Sequence, residues 1–209
     1  MFLAQDGGPQ AGAGNCVACH VPPTFSDFRF HSTGASQEEY DAVHGGGAFA
    51  ALAIPQLAER NARPELYLPP SPRLPTAAGR FRAAAASDSP GQTDLGLWNI
   101  WANPDVPAPQ STIAGTLGVE GQAPGDVLPR TIALFKTPGL RDLGQSAPYL
   151  HSGRMDSLED VVRFYIAFSQ KARLARVRNA SPDLARIFLT EEAVAPLAAF
   201  LRSLNEDYQ

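Results

Sequence analysis

The residues best suited to chemistry are two cysteines and a histidine close to the start of the chain. Cys16, Cys19 and His20 form a C-x-x-C-H pattern, and the 209 residues contain only these 2 cysteines. Side chains three and four residues apart share one face of a helical turn, so both thiols and the imidazole project the same way. Two such thiols can form thioethers with the vinyl groups of a haem, while the imidazole binds the iron. The pattern predicts one covalently attached haem c.

Two other kinds of site also use a C-x-x-C pair. A zinc site needs four ligands, and without a second C-x-x-C it would have to recruit His31 and His44. A redox dithiol of the thioredoxin type belongs to a βαβ unit, which the surrounding residues do not predict. Covalent haem is the favoured interpretation, with zinc and a redox dithiol as the alternatives.

A haem-binding histidine needs a hydrogen-bond partner for its second ring nitrogen. Pro22 and Pro23 end the helical turn and leave backbone carbonyl groups near His20 without helical partners. We expect one such carbonyl to accept a hydrogen bond from the Nδ1–H of His20, which would fix the orientation and the tautomer of the ring.

Composition and charge indicate an ordinary globular protein that is large enough to enclose a prosthetic group. With 44% hydrophobic residues and a net charge of −4, the chain has no feature that suggests nucleic acid or a membrane surface as a partner. No window approaches the roughly 20 apolar residues of a membrane span. Families that bear the C-x-x-C-H motif imply haem attachment outside the bacterial inner membrane, so a periplasmic location is expected. The first residues do not resemble an export signal, so we expect the chain to be a mature or excised piece.

The helical patterns lie on both sides of an irregular middle. A short helical start precedes the motif, and helices are predicted within 37–62. Between about 63 and 130 the periodicity is lost, and 11 of the 19 prolines fall there, which predicts an irregular segment with a short helix near 94–101. A capping box at 157–160 begins a helix that runs to about 170. Ser181 and Pro182 begin a short helix to 189, and a last helix from 190 to about 204 contains Pro196, which should bend it.

The second axial ligand of the iron decides what the haem does. A thioether raises the reduction potential, a phenolate lowers it, and an open position admits peroxide or oxygen. The candidate residues for this position are His31, His44, His151, Met155, Tyr149 and Tyr165.

Several segments together resemble a known family. The stretches FKTPGLRDL (135–143), APYLHSGR (147–154) and LEDVV (158–162) are similar to the C-terminal haem domain of bacterial di-haem cytochrome c peroxidases and MauG-type enzymes. Residues 25–34 and 94–99 also resemble that family, whereas 40–93 match it much less. The resemblance implies a haem redox protein with a second haem domain N-terminal to this chain.

The resemblance also suggests roles for single residues. In the peroxidases the distal ligand is a methionine on the helix that follows the P-Y-x-H-x-G segment; here Tyr165 holds that position, as in MauG-type members. Met155 is the competing ligand. The alternative interpretation is that neither residue binds iron: Tyr165 would then be a packed aromatic residue, and Met155 would fill space in the core. His151 is expected near the haem edge or its propionates, and Arg141 is expected to pair with a propionate unless it is a surface charge.

We therefore predict a mainly α-helical, class-I-like cytochrome c domain over 1–209. It has a long Pro/Gly-rich insertion over about 40–130 and C-terminal helices over about 157–204. The predicted function is a haem c redox module that exchanges electrons with a redox partner protein and with the second haem domain, in a peroxidase-type oxidoreductase. The alternatives are a stand-alone electron carrier and a ligand-binding haem domain with an open distal site. No residue is assigned an acid–base role.

Overall fold

The computed structural model describes residues 14–205, which divide between two compact units. The first, here called the motif unit, contains the C-x-x-C-H residues and comprises 14–29 and 136–205 of the described range. The second, the middle unit, is Phe30–Phe135. The short helical start expected before the motif lies outside the described residues. A single domain over 1–209 stays a prediction.

The middle unit is built from short helices. They are α1 (Ala35–His44), α2 (Ala48–Ala51), α3 (Leu57–Ala62), α4 (Pro64–Tyr67), α5 (Gln110–Leu117) and α6 (Pro124–Val127), with 3-10 helices at Leu97–Asn99 and Leu128–Thr131. Two short strands, β1 (Phe30–His31) and β2 (Phe135–Lys136), pair where the unit begins and ends. The predicted helices within 37–62 and the short helix near 94–101 are confirmed. The sequence pattern did not indicate α5 or the strands.

An aromatic core holds the middle unit together. Trp98 is fully buried, and its ring meets the edge of Phe81 at a centroid distance of 5.1 Å, while Phe81 stacks on Tyr67 at 5.9 Å. Trp101 donates its indole N–H to the carbonyl of Pro124 at 3.0 Å. The segment predicted as an irregular insertion therefore encloses a core of its own. Its buried side chains come from scattered positions, so no helical or strand period reveals them.

A buried arginine fixes the chain around these tryptophans. The guanidinium of Arg60 is fully buried, lies 5.1 Å from the ring centroid of Trp98, and has no carboxylate partner among residues 14–205. It donates to the carbonyls of Trp98, Trp101 and Ala102 at 2.6, 2.9 and 3.0 Å. Burial lowers the pKa of this guanidinium to about 10. The three hydrogen bonds, to one carbonyl of the 3-10 helix and two in the turn after it, offset the cost of burying the charge.

The motif unit contains the two longer C-terminal helices. They are α7 (Leu158–Arg173) and α8 (Val194–Arg202), and 3-10 helices lie at Cys16–Ala18, Leu143–Gln145, Pro182–Arg186 and Glu191–Ala193. The capping box is confirmed, because Ser157 Oγ accepts a hydrogen bond from the backbone N–H of Asp160 at 3.1 Å. Pro196 lies in the first turn of α8 and not in a helix interior as predicted, so its missing N–H removes no hydrogen bond there.

The two helices pack through an apolar contact with an ion pair at its edge. Leu158 of α7 is buried in a cluster with Ala198 and Leu201 of α8. Arg202 of α8 donates to Glu159 of α7 at 2.6 Å. The mainly helical prediction is confirmed. None of the helices in the described range could cross a membrane, because none is both long and apolar enough.

Replacing the capping residue of α7 tests how much the capping box contributes. Ser157→Ala should lower the free energy of unfolding by about 1 kcal/mol, because the N–H of Asp160 loses its acceptor. Urea unfolding followed by circular dichroism measures the change. The control is Ser111→Ala, at an exposed position inside α5, which should leave the free energy unchanged within about 0.5 kcal/mol. Equal effects of the two substitutions would contradict the capping role.

Candidate functional site

The C-x-x-C-H residues begin on a tight turn. Cys16–Ala18 is a 3-10 helix, and the carbonyl of Cys16 accepts from the N–H of Cys19 at 3.2 Å and of His20 at 2.8 Å. The structure therefore confirms the helical turn that was predicted to bring the two thiols and the imidazole together. Asn15, just before the turn, has a left-handed backbone (φ 48°), and its side-chain amide donates to the carbonyl of Asp183 at 3.1 Å. This contact anchors the turn to the 3-10 helix Pro182–Arg186.

Both cysteines are unbridged thiols. Cys16 and Cys19 are half-buried, and burial raises the pKa of Cys16 to about 11. Burial, with the nearby negative charge of Asp27, raises the pKa of Cys19 to about 12. A redox dithiol of the thioredoxin type depends on a lowered thiol pKa. The surroundings of Cys16 and Cys19 raise the pKa of both thiols instead, which weakens the dithiol interpretation.

The ring of His20 is fixed through one nitrogen. Nδ1 lies 2.8 Å from the carbonyl oxygen of Phe25, and because a carbonyl only accepts, Nδ1 carries the proton. Nε2 then holds the lone pair that a metal ion requires. The prediction that a carbonyl after the prolines accepts this proton is confirmed, and the acceptor is two residues beyond Pro23. The donor set of two thiols and an oriented imidazole fits a covalently bound haem.

The carbonyl that accepts from His20 belongs to a loop whose two ends are joined by a backbone hydrogen bond. The backbone N–H of Asp27 donates to the carbonyl of Cys19 at 2.8 Å, so residues 20–26 form the loop. Phe25 has a left-handed backbone with φ 52°. This conformation is uncommon for a residue with an aromatic side chain. The backbone at Phe25 is strained at the residue that orients the imidazole, and strain of this kind persists only where neighbouring contacts enforce it.

A buried serine ties this loop to the segment after β2. Ser26, only 5% exposed, donates from Oγ to the carbonyl of Thr137 at 2.8 Å and accepts from the N–H of Phe28 at 3.0 Å. The N–H of Thr137 donates to the carbonyl of Arg29 at 2.9 Å. No sequence pattern indicated a role for Phe25, Ser26 or Thr137. All three lie in segments that carried the family resemblance, which was the available signal.

Arg141 also contacts the loop. Its Nε and Nη2 lie 3.4 and 3.2 Å from the carbonyl oxygen of Pro23, and its guanidinium carbon lies 5.7 Å from the ring centroid of Phe25. The side chain is exposed. The expected pairing of Arg141 with a haem propionate stays a prediction.

The proposed distal ligands lie on other elements of the motif unit. Tyr165 is half-buried on α7, where its ring packs edge-on against Phe164 at a centroid distance of 5.3 Å. Met155 pairs with Tyr149 across a turn, because the N–H of Tyr149 donates to the carbonyl of Met155 at 2.7 Å. His151 is exposed within that turn. The ligand roles of Tyr165 and Met155, and the place of His151 beside the haem, stay predictions.

The other candidates have structural contacts or belong to the middle unit. The hydroxyl of Tyr149 donates to the carbonyl of Leu143 at 3.0 Å. His44 ends α1, and its ring packs on Tyr40 at a centroid distance of 4.3 Å. His31 lies in β1.

Comparison with known proteins finds relatives of one kind. The chain is 34% identical over 77 residues to "Cytochrome-c peroxidase IdrP1" of Denitromonas iodatirespirans, which is 37% of this chain and 19% of that protein. It is 34% identical over 71 residues to "Methylamine utilization protein MauG" of Methylophilus methylotrophus, or 34% of this chain and 20% of that protein. A longer match, 27% identical over 158 residues, is to "Cytochrome-c peroxidase IdrP2" of Denitromonas iodatirespirans. It covers 74% of this chain and 28% of that protein.

These matches confirm the resemblance to cytochrome c peroxidases and MauG proteins that the motifs suggested. They cover between 19% and 28% of the three relatives' own lengths, so the chain corresponds to a minor part of each. No protein-family model matches the chain. No solved structure matches it either.

Removing the buried hydroxyl of Ser26 should loosen the loop. Ser26→Ala leaves the carbonyl of Thr137 and the N–H of Phe28 without this partner, so we expect the free energy of unfolding to fall by about 1–3 kcal/mol. The control is Ser203→Ala, which removes an exposed hydrogen bond to the carbonyl of Phe200 and should cost under about 1 kcal/mol. Urea unfolding compares the two. A loss for Ser26→Ala no larger than the control would show that the loop does not depend on this contact.

Proposed function

We propose that this chain, a relative of the cytochrome c peroxidases and MauG proteins, is a haem c redox module. One haem would be attached by thioethers to Cys16 and Cys19, with His20 as the proximal iron ligand. The observation that carries the proposal is the 2.8 Å hydrogen bond from Nδ1 of His20 to the carbonyl of Phe25. It leaves Nε2 as the metal-binding nitrogen, on a turn that also presents two thiols.

The haem, when bound, supplies an iron that accepts and releases single electrons. The protein's own contribution is to hold and tune that group. The carbonyl of Phe25 keeps His20 in one tautomer and makes its imidazole a stronger electron donor. The half-buried turn and the anchoring of Asn15 to Asp183 keep the two cysteines and His20 on one rigid element.

Tyr165 is the proposed second axial ligand, with Met155 as the competitor. The position of Tyr165 on the helix after the P-Y-x-H-x-G-like segment supports the choice. A phenolate would lower the reduction potential, whereas the thioether of Met155 would raise it. His151 and Arg141 are proposed to lie near the haem edge and its propionates.

The module is proposed to be the C-terminal, electron-transferring part of a larger periplasmic oxidoreductase that uses peroxide. The lengths of the relatives support this, because the three matches cover between 19% and 28% of each. A second haem domain N-terminal to this chain would exchange electrons with it, and a redox protein would be the external partner. In this proposal the motif unit, with α7 and α8, has the cytochrome c-like fold.

Covalent attachment is tested by producing the chain together with a c-type cytochrome assembly system. The pigment should stay with the protein in acidified organic solvent, because two thioether bonds hold it. The double variant Cys16→Ala/Cys19→Ala should release all of its pigment, whereas Val17→Ala, in the same turn, should retain it. Colourless protein, or pigment that the unaltered chain releases, would contradict the proposal.

The distal ligand is tested by Tyr165→Phe in the haem-loaded protein. Loss of the phenolate should raise the reduction potential and change the absorption spectrum of the oxidised form. Tyr67→Phe serves as the control, because Tyr67 lies in the aromatic core of the middle unit and is not a candidate ligand; the potential and the spectrum should be unchanged. If Tyr165→Phe alters neither, and Met155→Leu abolishes a sulfur-to-iron charge-transfer band, Met155 is the ligand and the chain is better described as an electron carrier.

A further inference from the structure

The orientation of His20 depends on a strained turn. The acceptor of its Nδ1 proton is the carbonyl of Phe25, whose φ of 52° is in the left-handed region. Phe25 is neither glycine nor asparagine, so its backbone does not favour this conformation by itself. Ser26 fixes the next residue by its bond to Thr137. The residues that precede Phe25 in the turn need a separate contact to hold them in place.

Arg141 supplies that contact. Its guanidinium donates to the carbonyl of Pro23, with Nη2 at 3.2 Å and Nε at 3.4 Å from the oxygen. The same guanidinium lies over the ring of Phe25, at 5.7 Å from the centroid. One planar cation therefore contacts both the backbone before the strained residue and the side chain of that residue. This pair of contacts suits arginine, whose fork donates two N–H groups while its flat face covers an aromatic ring.

We propose that Arg141 is a positioning residue for His20. By holding the Pro23–Phe25 turn in place, Arg141 keeps the carbonyl of Phe25 directed at Nδ1. This hydrogen bond in turn sets how strongly the imidazole donates charge to the iron. The inference rests on the proposed function, in which His20 binds haem iron. It assigns Arg141 a role through the protein backbone, which differs from a direct pairing with a propionate.

The predicted consequence is a shift in reduction potential. When the Phe25 carbonyl is held less firmly, its hydrogen bond to Nδ1 weakens and the imidazole donates less charge to the iron. Donated charge stabilises the ferric state more than the ferrous state. With less donation the ferric state is less favoured, so the reduction potential rises. We expect Arg141→Gln to change the equilibrium constant for one-electron reduction by about tenfold, which corresponds to about 59 mV.

The experiment uses the chain matured with covalent haem and compares five variants. Arg141→Gln removes the cation, and Arg141→Lys keeps the charge without the planar fork, in case the first variant does not fold. Phe25→Leu removes the ring beneath the guanidinium but keeps the carbonyl, and it is also combined with Arg141→Gln. Arg202→Gln is the control, because Arg202 is an exposed arginine that bonds Glu159 on α7. Haem attachment is measured first, followed by the reduction potential and the absorption spectrum of each variant.

The proposal predicts that Arg141→Gln and Phe25→Leu both raise the potential and that their effects do not add, because both act on one turn. Arg141→Lys should give a smaller rise, and Arg202→Gln none. Unaltered potentials in both Arg141 variants would overturn the proposal. Shifts of Arg141→Gln and Phe25→Leu that simply add would also overturn it, since Arg141 would then act directly on the haem. Absence of covalent haem in the unaltered chain would instead overturn the proposed function itself.

Discussion

The hydrogen bond between Nδ1 of His20 and the carbonyl of Phe25 is the contact that gives the motif unit its chemical character. It makes Nε2 the basic nitrogen, and it can form only because the chain turns back after two prolines. The closing bond from Asp27 to Cys19 and the buried Ser26–Thr137 bond hold that turn in place. A cysteine pair on one short turn would by itself fit zinc, a redox dithiol or haem; the oriented imidazole beside it favours a bound haem.

The sequence patterns predicted those elements whose hydrogen-bond partners lie close together in the chain. The spacing within C-x-x-C-H predicted the turn at Cys16, and the Ser157–Asp160 pattern predicted the start of α7, because in both cases the partners are within four residues of each other. The expectation of a carbonyl partner for His20 had the same origin. The end of α7 lies three residues beyond the predicted 170, because no proline or glycine marks it in the sequence.

Contacts between distant residues were not predictable in this way. Arg60 is fully buried because it meets carbonyls of the Trp98–Ala102 stretch, about 40 positions away, and nothing near Arg60 in the sequence signals that. The left-handed backbone of Phe25 also has no local signature, since such positions usually carry glycine or asparagine. Arg163 donates to Glu191, 28 positions away, and the guanidinium of Arg173 covers the ring of Phe188. Sequence gives the type of such side chains, and the three-dimensional contacts give their roles.

In the proposed haem-loaded protein, His20 binds iron through Nε2 while the carbonyl of Phe25 holds Nδ1. A crystal structure of the haem-loaded protein, with anomalous scattering recorded at the iron edge, tests this most directly. We expect one iron peak bonded to Nε2 of His20, with Nδ1 within hydrogen-bond distance of the Phe25 carbonyl and both cysteine sulfurs joined to the porphyrin. An iron bound without His20, or a zinc ion held by the two cysteine sulfurs, would contradict it.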